Sequence, residues 1–159
     1  EKPSYIRLTG SSNNPIIYNN DYKFRIGKCI ELKKGKDVVI FACGAIISEV
    51  LKASKILLKK GISVNVINVH TVKPIDKKCI IEKVKGKKLI VSVEEHNIFG
   101  GLGSAIAECL SNIKDVPRHL MLGINDKYSD GGDYNFLLNH YGITSNKIAN
   151  KIFKNFNCN

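Results

Sequence analysis

Hydrophobic positions along the chain follow two alternating patterns. Short apolar runs rich in β-branched residues predict buried strands at DVVIFACGA, SVNVINVHTV, KKLIVSVEEH and RHLMLGI. Between these runs, apolar residues recur at three- and four-residue intervals with lysines on the opposite side, which predicts amphipathic helices. Two such stripes are Ile47–Leu58 and Ile148–Phe156. Alternation of strand and helix is typical of an α/β sandwich with a mostly parallel central sheet.

Turn-forming and capping residues mark where several of these elements begin and end. Gly61 follows the first helical stripe, as expected for a helix C-terminus. Asp76 and Asp133 each precede a helical segment and are predicted N-caps. The first eight residues, EKPSYIRL, are predicted to form one short strand. Residues 9–36 are rich in Asn, Ser, Gly and Pro, so we expect a linker there and regular structure from residue 37.

Composition indicates one soluble globular domain. The chain has 159 residues, of which 43% are hydrophobic and 25% charged. The longest apolar run, VVIFACGAII, is far too short for a bilayer span, and the absence of an initiator methionine suggests a piece of a longer protein. A cytoplasmic location is expected. No C-x-x-C pair occurs, so spacing predicts neither a zinc site nor a disulfide framework for the five cysteines, Cys29, Cys43, Cys79, Cys109 and Cys158.

The net charge of +11 raises the hypothesis of nucleic-acid binding. Only three of the 25 basic residues are arginine, and the lysines are scattered over the whole chain. Proteins that bind nucleic acid specifically usually concentrate arginine and aromatic residues on one face. We therefore expect solvated lysine surfaces and no nucleic-acid partner.

The segment VEEHNIFGGLGSA carries the candidate chemistry, because it lies at the carboxyl end of a predicted strand and before a helix. A helix N-terminus there could hold an anion. The dinucleotide fingerprint G-x-G-x-x-G nevertheless fits poorly. Gly101 and Gly103 supply two glycines, but Ile106 stands where the third is needed. A tight turn that includes Gly100 is the favoured interpretation, and a free-standing nucleotide- or anion-binding module is an alternative.

The polar residues before this turn suggest a second hypothesis. In a strand, Glu94 and His96 point to one face and Glu95 to the other, so Glu94 and His96 could transfer protons. We favour instead carboxylates that bind backbone groups or lysines at an interface, because neither a nucleophile nor a metal-ligand set accompanies them. The loop YSDGGDYN has the order G-G-D rather than the G-D-G of diphosphate sites. The sequence thus predicts no catalytic, cofactor-binding or metal-binding residue within this chain.

Three segments together resemble the C-terminal domain of the thiamine-diphosphate-dependent transketolase family. They are GKDVVIFACGAIISEVLKASKILLKKGISVNVINVHTVKPID, VSVEEHNIFGGLGSAIAECL and YSDGGDYNFLLNHYGIT, in that order. The resemblance is greatest to separate transketolase C-terminal subunits. Two related classes, 1-deoxyxylulose-5-phosphate synthases and 2-oxoacid dehydrogenase E1 β subunits, share this domain and are alternatives.

The resemblance implies a three-layer α/β/α sandwich with one antiparallel strand, formed by residues 37–159. It also implies that residues 1–8 are the last strand of a preceding pyrimidine-binding domain. Thiamine diphosphate and Mg²⁺ would bind in the complete enzyme, a homodimer whose diphosphate- and pyrimidine-binding domains are fused or on a separate chain. The complete enzyme would be a transferase, and the fragment alone would be inactive and bind no cofactor.

The resemblance also suggests roles for individual residues. Arg7 matches an arginine that contacts the phosphate of the sugar substrate, a role that suits a planar guanidinium. The glycine turn would serve domain docking and dimer contact rather than diphosphate binding. The residues assigned to this interface or turn are Glu94, Glu95, His96, Gly100, Gly101 and Gly103.

Overall fold

A computed structural model of the chain describes residues 3–9, 14–18 and 21–157. The strands are β1 (Ile30–Lys33), β2 (Val38–Ala42), β3 (Val64–Asn68), β4 (Leu89–Asn97) and β5 (His119–Ile124). The helices are α1 (Ile47–Lys59), α2 (Lys77–Val84), α3 (Leu102–Leu110), α4 (Tyr134–His140) and α5 (Ser145–Phe156). Strand and helix alternate through most of the chain, as the hydrophobic pattern predicted.

The five strands form one mixed, mostly parallel sheet in the order β1-β3-β2-β4-β5. β2 pairs in parallel with both β3 and β4, and β5 pairs in parallel with β4. β1 is antiparallel to β3 at one edge. Every residue of β2 and β3 is buried, as expected for central parallel strands covered on both faces.

Helices cover both faces of the sheet and create two hydrophobic cores. α1 and α5 pack on one face, where Val50 and Ile152 meet Ile40 of β2. α2 and α3 pack on the other face, where Ile80 and Ile106 meet Phe41. This arrangement confirms the predicted three-layer α/β/α sandwich.

The predicted helix ends agree with the structure. Gly61 follows α1 with a φ of +79°, and its N–H donates to the Leu58 carbonyl at 3.0 Å. Asp76 is the N-cap of α2 and accepts the Cys79 N–H at 3.2 Å. Asp133 is the N-cap of α4 and accepts the Asn135 N–H at 2.9 Å. In each case the cap satisfies a backbone group that the helix itself leaves free.

The segment before residue 37 differs from the expectation. Regular structure begins at Ile30, because β1 lies within the range predicted to be a linker. This strand has only four residues, and Asn65 holds it by donating to the Lys33 carbonyl at 2.7 Å. Residues 3–9 form neither helix nor strand, and residues 1 and 2 lie outside the described part. The assignment of residues 1–8 to a preceding domain therefore stays a prediction.

Among the described residues, every helix is too short or too polar to span a bilayer.

Candidate functional site

The candidate site lies where β2 ends beside the second half of β4. Ala42 and Val93 are register partners, and Cys43 and Glu94 each come directly after one of them. The chain runs from β2 to β3 on one side and later to β4 on the other, so the strand order reverses here. Ligand sites of open α/β sheets occur at such reversal points, which makes this edge the first place to test for binding chemistry.

Glu94 fills the N-terminus of α3. Its side chain is 2% exposed. Oε2 accepts the Leu102 N–H at 2.8 Å, and Oε1 accepts the Gly103 N–H at 2.9 Å. A carboxylate at this position satisfies two free backbone donors and the positive end of the helix dipole. The place that a phosphate would take in a nucleotide-binding turn is therefore occupied by the chain's own carboxylate.

The glycines of the turn allow this close packing. A Cβ atom on Gly101 would lie 2.1 Å from Glu94 Oε2 and 2.7 Å from the Asn97 carbonyl oxygen. A Cβ on Gly103 would lie 2.8 Å from Ser92 Oγ. Gly100 has a φ of +74°, a conformation that favours glycine. These glycines bring the backbone against Glu94 and the sheet, which agrees with the prediction of a tight turn.

The positions of Ile106 and His96 bear on two hypotheses about this segment, the dinucleotide fingerprint and the proton-transfer pair. Ile106 is fully buried in the core between α3 and the sheet, so it occupies a packing position and completes no dinucleotide fingerprint. His96 is exposed, and its Nδ1 lies 3.2 Å from the Asn97 carbonyl oxygen. In the described part of the chain, no hydrogen bond or ion pair joins His96 to Glu94. The geometry gives no support to a Glu94–His96 proton-transfer pair.

Glu95 points away from α3 and accepts a hydrogen bond from the Tyr134 hydroxyl at the start of α4. Burial raises the pKa of Glu95, while this hydrogen bond and the charge of Arg7 lower it. Burial, together with the hydrogen bond to Glu95, raises the pKa of Tyr134. Tyr134 was not identified from the sequence, because the contact joins segments that are distant along the chain.

Arg7 is exposed, and its charge acts on two groups at the same edge of the sheet. It lowers the pKa of Glu95, and it also lowers that of Cys43, which burial raises overall to about 11. The charge of Arg7 thus acts on groups beside the carboxyl end of β2. A role of Arg7 in binding a substrate phosphate stays a prediction.

An exposed groove of about 470 Å³ runs beside the glycine turn. It lies between the loop that precedes α2 and the first turns of α3, and both Gly100 and Gly101 line it. Val72 is 40% exposed in the groove, and the adjacent Phe99 is 66% exposed at the tip of the turn. The surface at this edge thus exposes two large apolar side chains among charged ones, a mixture that occurs at interfaces.

The described residues do not fit a thiamine diphosphate and Mg²⁺ site. The N-terminus of α3 is filled by Glu94. In the loop that resembles a diphosphate motif, the Asp133 carboxylate already caps α4. The groove contains one acidic residue, Glu108, next to Lys73 and Lys77, which is an unfavourable environment for a divalent cation.

Comparison with known proteins agrees with this geometry. Residues 27–148 match the family model described as the transketolase C-terminal domain. A protein of Methanocaldococcus jannaschii named putative transketolase C-terminal section is 38% identical over 154 residues, which are 96% of this chain and 48% of that protein. An apulose-4-phosphate transketolase subunit of Actinobacillus succinogenes is 37% identical over 92% of this chain and 47% of its own length.

A solved structure extends the likeness to three dimensions. It is described as a split gene transketolase in an inactive beta4 tetramer, and it superimposes with a TM-score of 0.82 at 34% identity. The alignment covers 90% of this chain and 46% of that one. The chain therefore spans about half the length of the proteins that it matches.

Proposed function

The chain belongs to the transketolase C-terminal domain family, and we propose that it is the C-terminal portion of a thiamine-diphosphate-dependent transketolase-type enzyme. That enzyme transfers two-carbon ketol units between sugar phosphates. The two transketolase relatives and the split transketolase support this proposal, because they match nearly the whole chain. Each of them is about twice as long, so the remaining part of the enzyme lies on the same polypeptide or on a separate subunit.

Within this enzyme the domain is a scaffold and not the catalytic centre. This conclusion rests on one observation: the Glu94 carboxylate of the same chain accepts the Leu102 and Gly103 N–H groups. A helix N-terminus used in this way stabilises the turn and removes two of the donors that a cofactor phosphate would need. Thiamine diphosphate and Mg²⁺ are accordingly bound by the diphosphate- and pyrimidine-binding domains outside this chain.

The outer surface of the turn docks against those domains and against a second copy of the subunit in a homodimer. Phe99 and Val72 expose apolar area that burial in an interface would stabilise. Glu95 and Tyr134 form a polar pair at the same edge, as interface rims usually have. A cytoplasmic enzyme of sugar metabolism is the setting that follows from the proposed activity.

Arg7 binds the phosphate of the sugar substrate in the complete enzyme. The effect of its charge on Glu95 supports this role, because Glu95 belongs to the edge that we propose as the domain interface. Arginine can hold two phosphate oxygens at once through parallel charge-assisted hydrogen bonds. In the enzyme, Glu95 balances the charge of this arginine and keeps it at the domain boundary.

An assay of the reconstituted enzyme tests the proposal. The chain is combined with the polypeptide that carries the preceding domains, and ketol transfer from a ketose phosphate to an aldose phosphate is measured with thiamine diphosphate and Mg²⁺. We expect activity in the combined sample and none in either part alone. A combined sample that consumes pyruvate and makes no ketol transfer would instead assign the enzyme to the synthase or dehydrogenase relatives.

The role of Arg7 is tested in the same assay. Arg7→Gln should raise the KM for the sugar phosphate about 10- to 100-fold, the effect of losing hydrogen bonds to a charged group. Arg25→Gln changes the charge equally at another exposed position and should leave KM unchanged. Equal effects of both variants would show that Arg7 acts only through the net charge.

A further inference from the structure

Cys29 and Cys79 lie next to each other, although residues 30–78 separate them in the sequence. Their Sγ atoms and a carboxylate oxygen of Asp76 are all within 4.8 Å of one another. Cys29 directly precedes β1, and Cys79 lies in the first turn of α2. Both side chains are partly exposed. The spacing of the cysteines gave no sign of this pair, because only the tertiary fold creates it.

One buried carboxylate holds both cysteine backbones. Asp76 Oδ2 accepts the Cys29 N–H at 3.2 Å, and Asp76 Oδ1 accepts the Cys79 N–H at 3.2 Å. Because the two oxygens belong to the same group, the two peptide units are held close together. A disulfide needs such a short separation of its two backbones, and here it exists before any bond forms.

The surroundings favour a thiolate on Cys79. A hydrogen bond from Cys29 lowers the pKa of Cys79, and the same bond raises the pKa of Cys29. The N-terminal end of a helix stabilises negative charge, which also favours a thiolate in the first turn of α2. Burial raises the pKa of Cys79 as well, but less than the hydrogen bond from Cys29 lowers it, whereas burial is the largest effect on Cys43 and Cys109 and raises their pKa. Cys79 is thus the one thiol among these four whose pKa is lowered.

We propose that Cys29 and Cys79 are an oxidation site that forms a reversible disulfide when the protein meets hydrogen peroxide. The Cys79 thiolate attacks one peroxide oxygen, the O–O bond breaks, and a sulfenic acid and hydroxide form. The Cys29 sulfur then attacks the Cys79 sulfur, the S–O bond breaks, and the released hydroxide takes up the Cys29 proton as water. In total two thiols lose two electrons and one peroxide becomes two waters.

A metal site built from the same three residues is disfavoured by charge. Both Asp76 oxygens already accept backbone N–H groups, and the Lys28 ammonium lies 3.7 Å from Asp76 Oδ1. Lys77 and Lys78 add positive charge at the start of α2. Positive neighbours oppose a divalent cation, whereas they stabilise a thiolate.

The disulfide would tie the chain entering β1 to the start of α2. It would close a loop of about 50 residues, and closing a long loop lowers the conformational entropy of the unfolded state. We therefore expect oxidation to raise the melting temperature by about 5 °C or more, a shift that dithiothreitol reverses.

The experiment treats the reduced chain with hydrogen peroxide, blocks remaining thiols under denaturing conditions, and maps every cysteine by mass spectrometry. We expect one cross-linked peptide pair containing Cys29 and Cys79, with Cys43 and Cys109 still alkylated. Cys158 lies outside the described residues, and mapping distinguishes it from the pair. Cys79→Ser and Cys29→Ser should each abolish the rise in melting temperature, whereas Cys43→Ser should retain it.

Several outcomes would overturn the proposal. One is recovery of Cys29 and Cys79 fully alkylated after peroxide treatment. Another is irreversible oxidation of Cys79 without a cross-link. Protection of both thiols from alkylation by micromolar Zn²⁺ would also contradict it, since the residues would then be a metal site. Because mapping uses the unmodified chain, the result does not depend on whether a serine variant folds.

Discussion

The Glu94 carboxylate accepts the Leu102 N–H at 2.8 Å, eight residues further along the chain. The same carboxylate accepts the next amide, that of Gly103, at 2.9 Å. These two hydrogen bonds link the second half of β4 to the start of α3 and fix the shape of the turn between them. The relationship explains how a glycine-rich turn after a strand can look like a phosphate site and have a structural role.

Glu94→Ala should lower the free energy of unfolding by about 3 kcal/mol, because two buried backbone N–H groups lose their acceptors. Glu94→Gln keeps an acceptor without the charge and should cost about 1–2 kcal/mol. Glu108→Gln, an exposed position on the same helix, should stay within about 0.5 kcal/mol of wild type. Urea unfolding of the three variants measures these differences, and equal effects at both positions would contradict the capping role.

Gly101→Ala should destabilise the chain by about 2–4 kcal/mol, since the new methyl group would overlap Glu94 Oε2 and the Asn97 carbonyl. Gly131→Ala is the matched control, because a Cβ at Gly131 meets nothing within 4 Å. The melting temperatures of the two variants separate the effect of steric overlap at Gly101 from the effect of losing glycine flexibility alone. If the two substitutions had the same effect, the packing argument for Gly101 would fail.

The Glu95 carboxyl group reports on the contacts of the exposed edge. Burial raises its pKa, and the Tyr134 hydrogen bond and the Arg7 charge lower it. Tyr134→Phe and Arg7→Gln should therefore each raise the pKa of Glu95 further. A ¹³C NMR titration of the side-chain carboxyl measures the change. An unchanged value in Arg7→Gln would mean that Arg7 does not lie beside this group.

His119 should make stability depend on pH. Burial lowers its pKa from the ordinary 6.5 to about 4, while Nε2 lies 3.1 Å from Ser92 Oγ. Between pH 6.5 and 4 the unfolded chain binds a proton that the folded chain excludes. The stabilising contribution is complete above pH 6.5, falls by about 1.4 kcal/mol per pH unit below it, and levels off near pH 4.

His119→Gln should remove this part of the pH dependence, whereas His96→Gln, at an exposed position on β4, should retain it. Urea unfolding between pH 4 and 7 measures the slopes. Parallel curves for His119→Gln and wild type would show that the His119 proton does not contribute.

The periodicity of apolar residues predicted most of the architecture. Central strands such as β2 are continuous apolar runs, and helix ends carry local signals at Gly61, Asp76 and Asp133, so both can be identified from neighbouring residues. β1 was missed because it has only four residues, two of them charged, and its position depends on pairing with β3. A short edge strand has no hydrophobic pattern strong enough to identify it.

The candidate site was predictable only in part. The sequence indicated the turn and its glycines, and the role of this turn as an interface stays a prediction. It could not show which carboxylate caps α3, since Glu94 and Glu95 are adjacent and only the pleat of β4 directs one toward the helix. The contacts of Glu95 with Tyr134 and of Cys29 with Cys79 join distant segments, and local patterns contain no information about them.

The central claim is that the outer surface of the turn is an interface, and hydrogen exchange tests it most directly. Amide exchange of residues 98–101 is compared in the chain alone and after assembly with the preceding domains and the second subunit. We predict at least 10-fold slower exchange in the assembled enzyme, because docking would exclude water from the turn. Unchanged exchange on assembly, together with slower exchange on addition of ATP or NAD to the chain alone, would identify the turn as a ligand site and contradict the account.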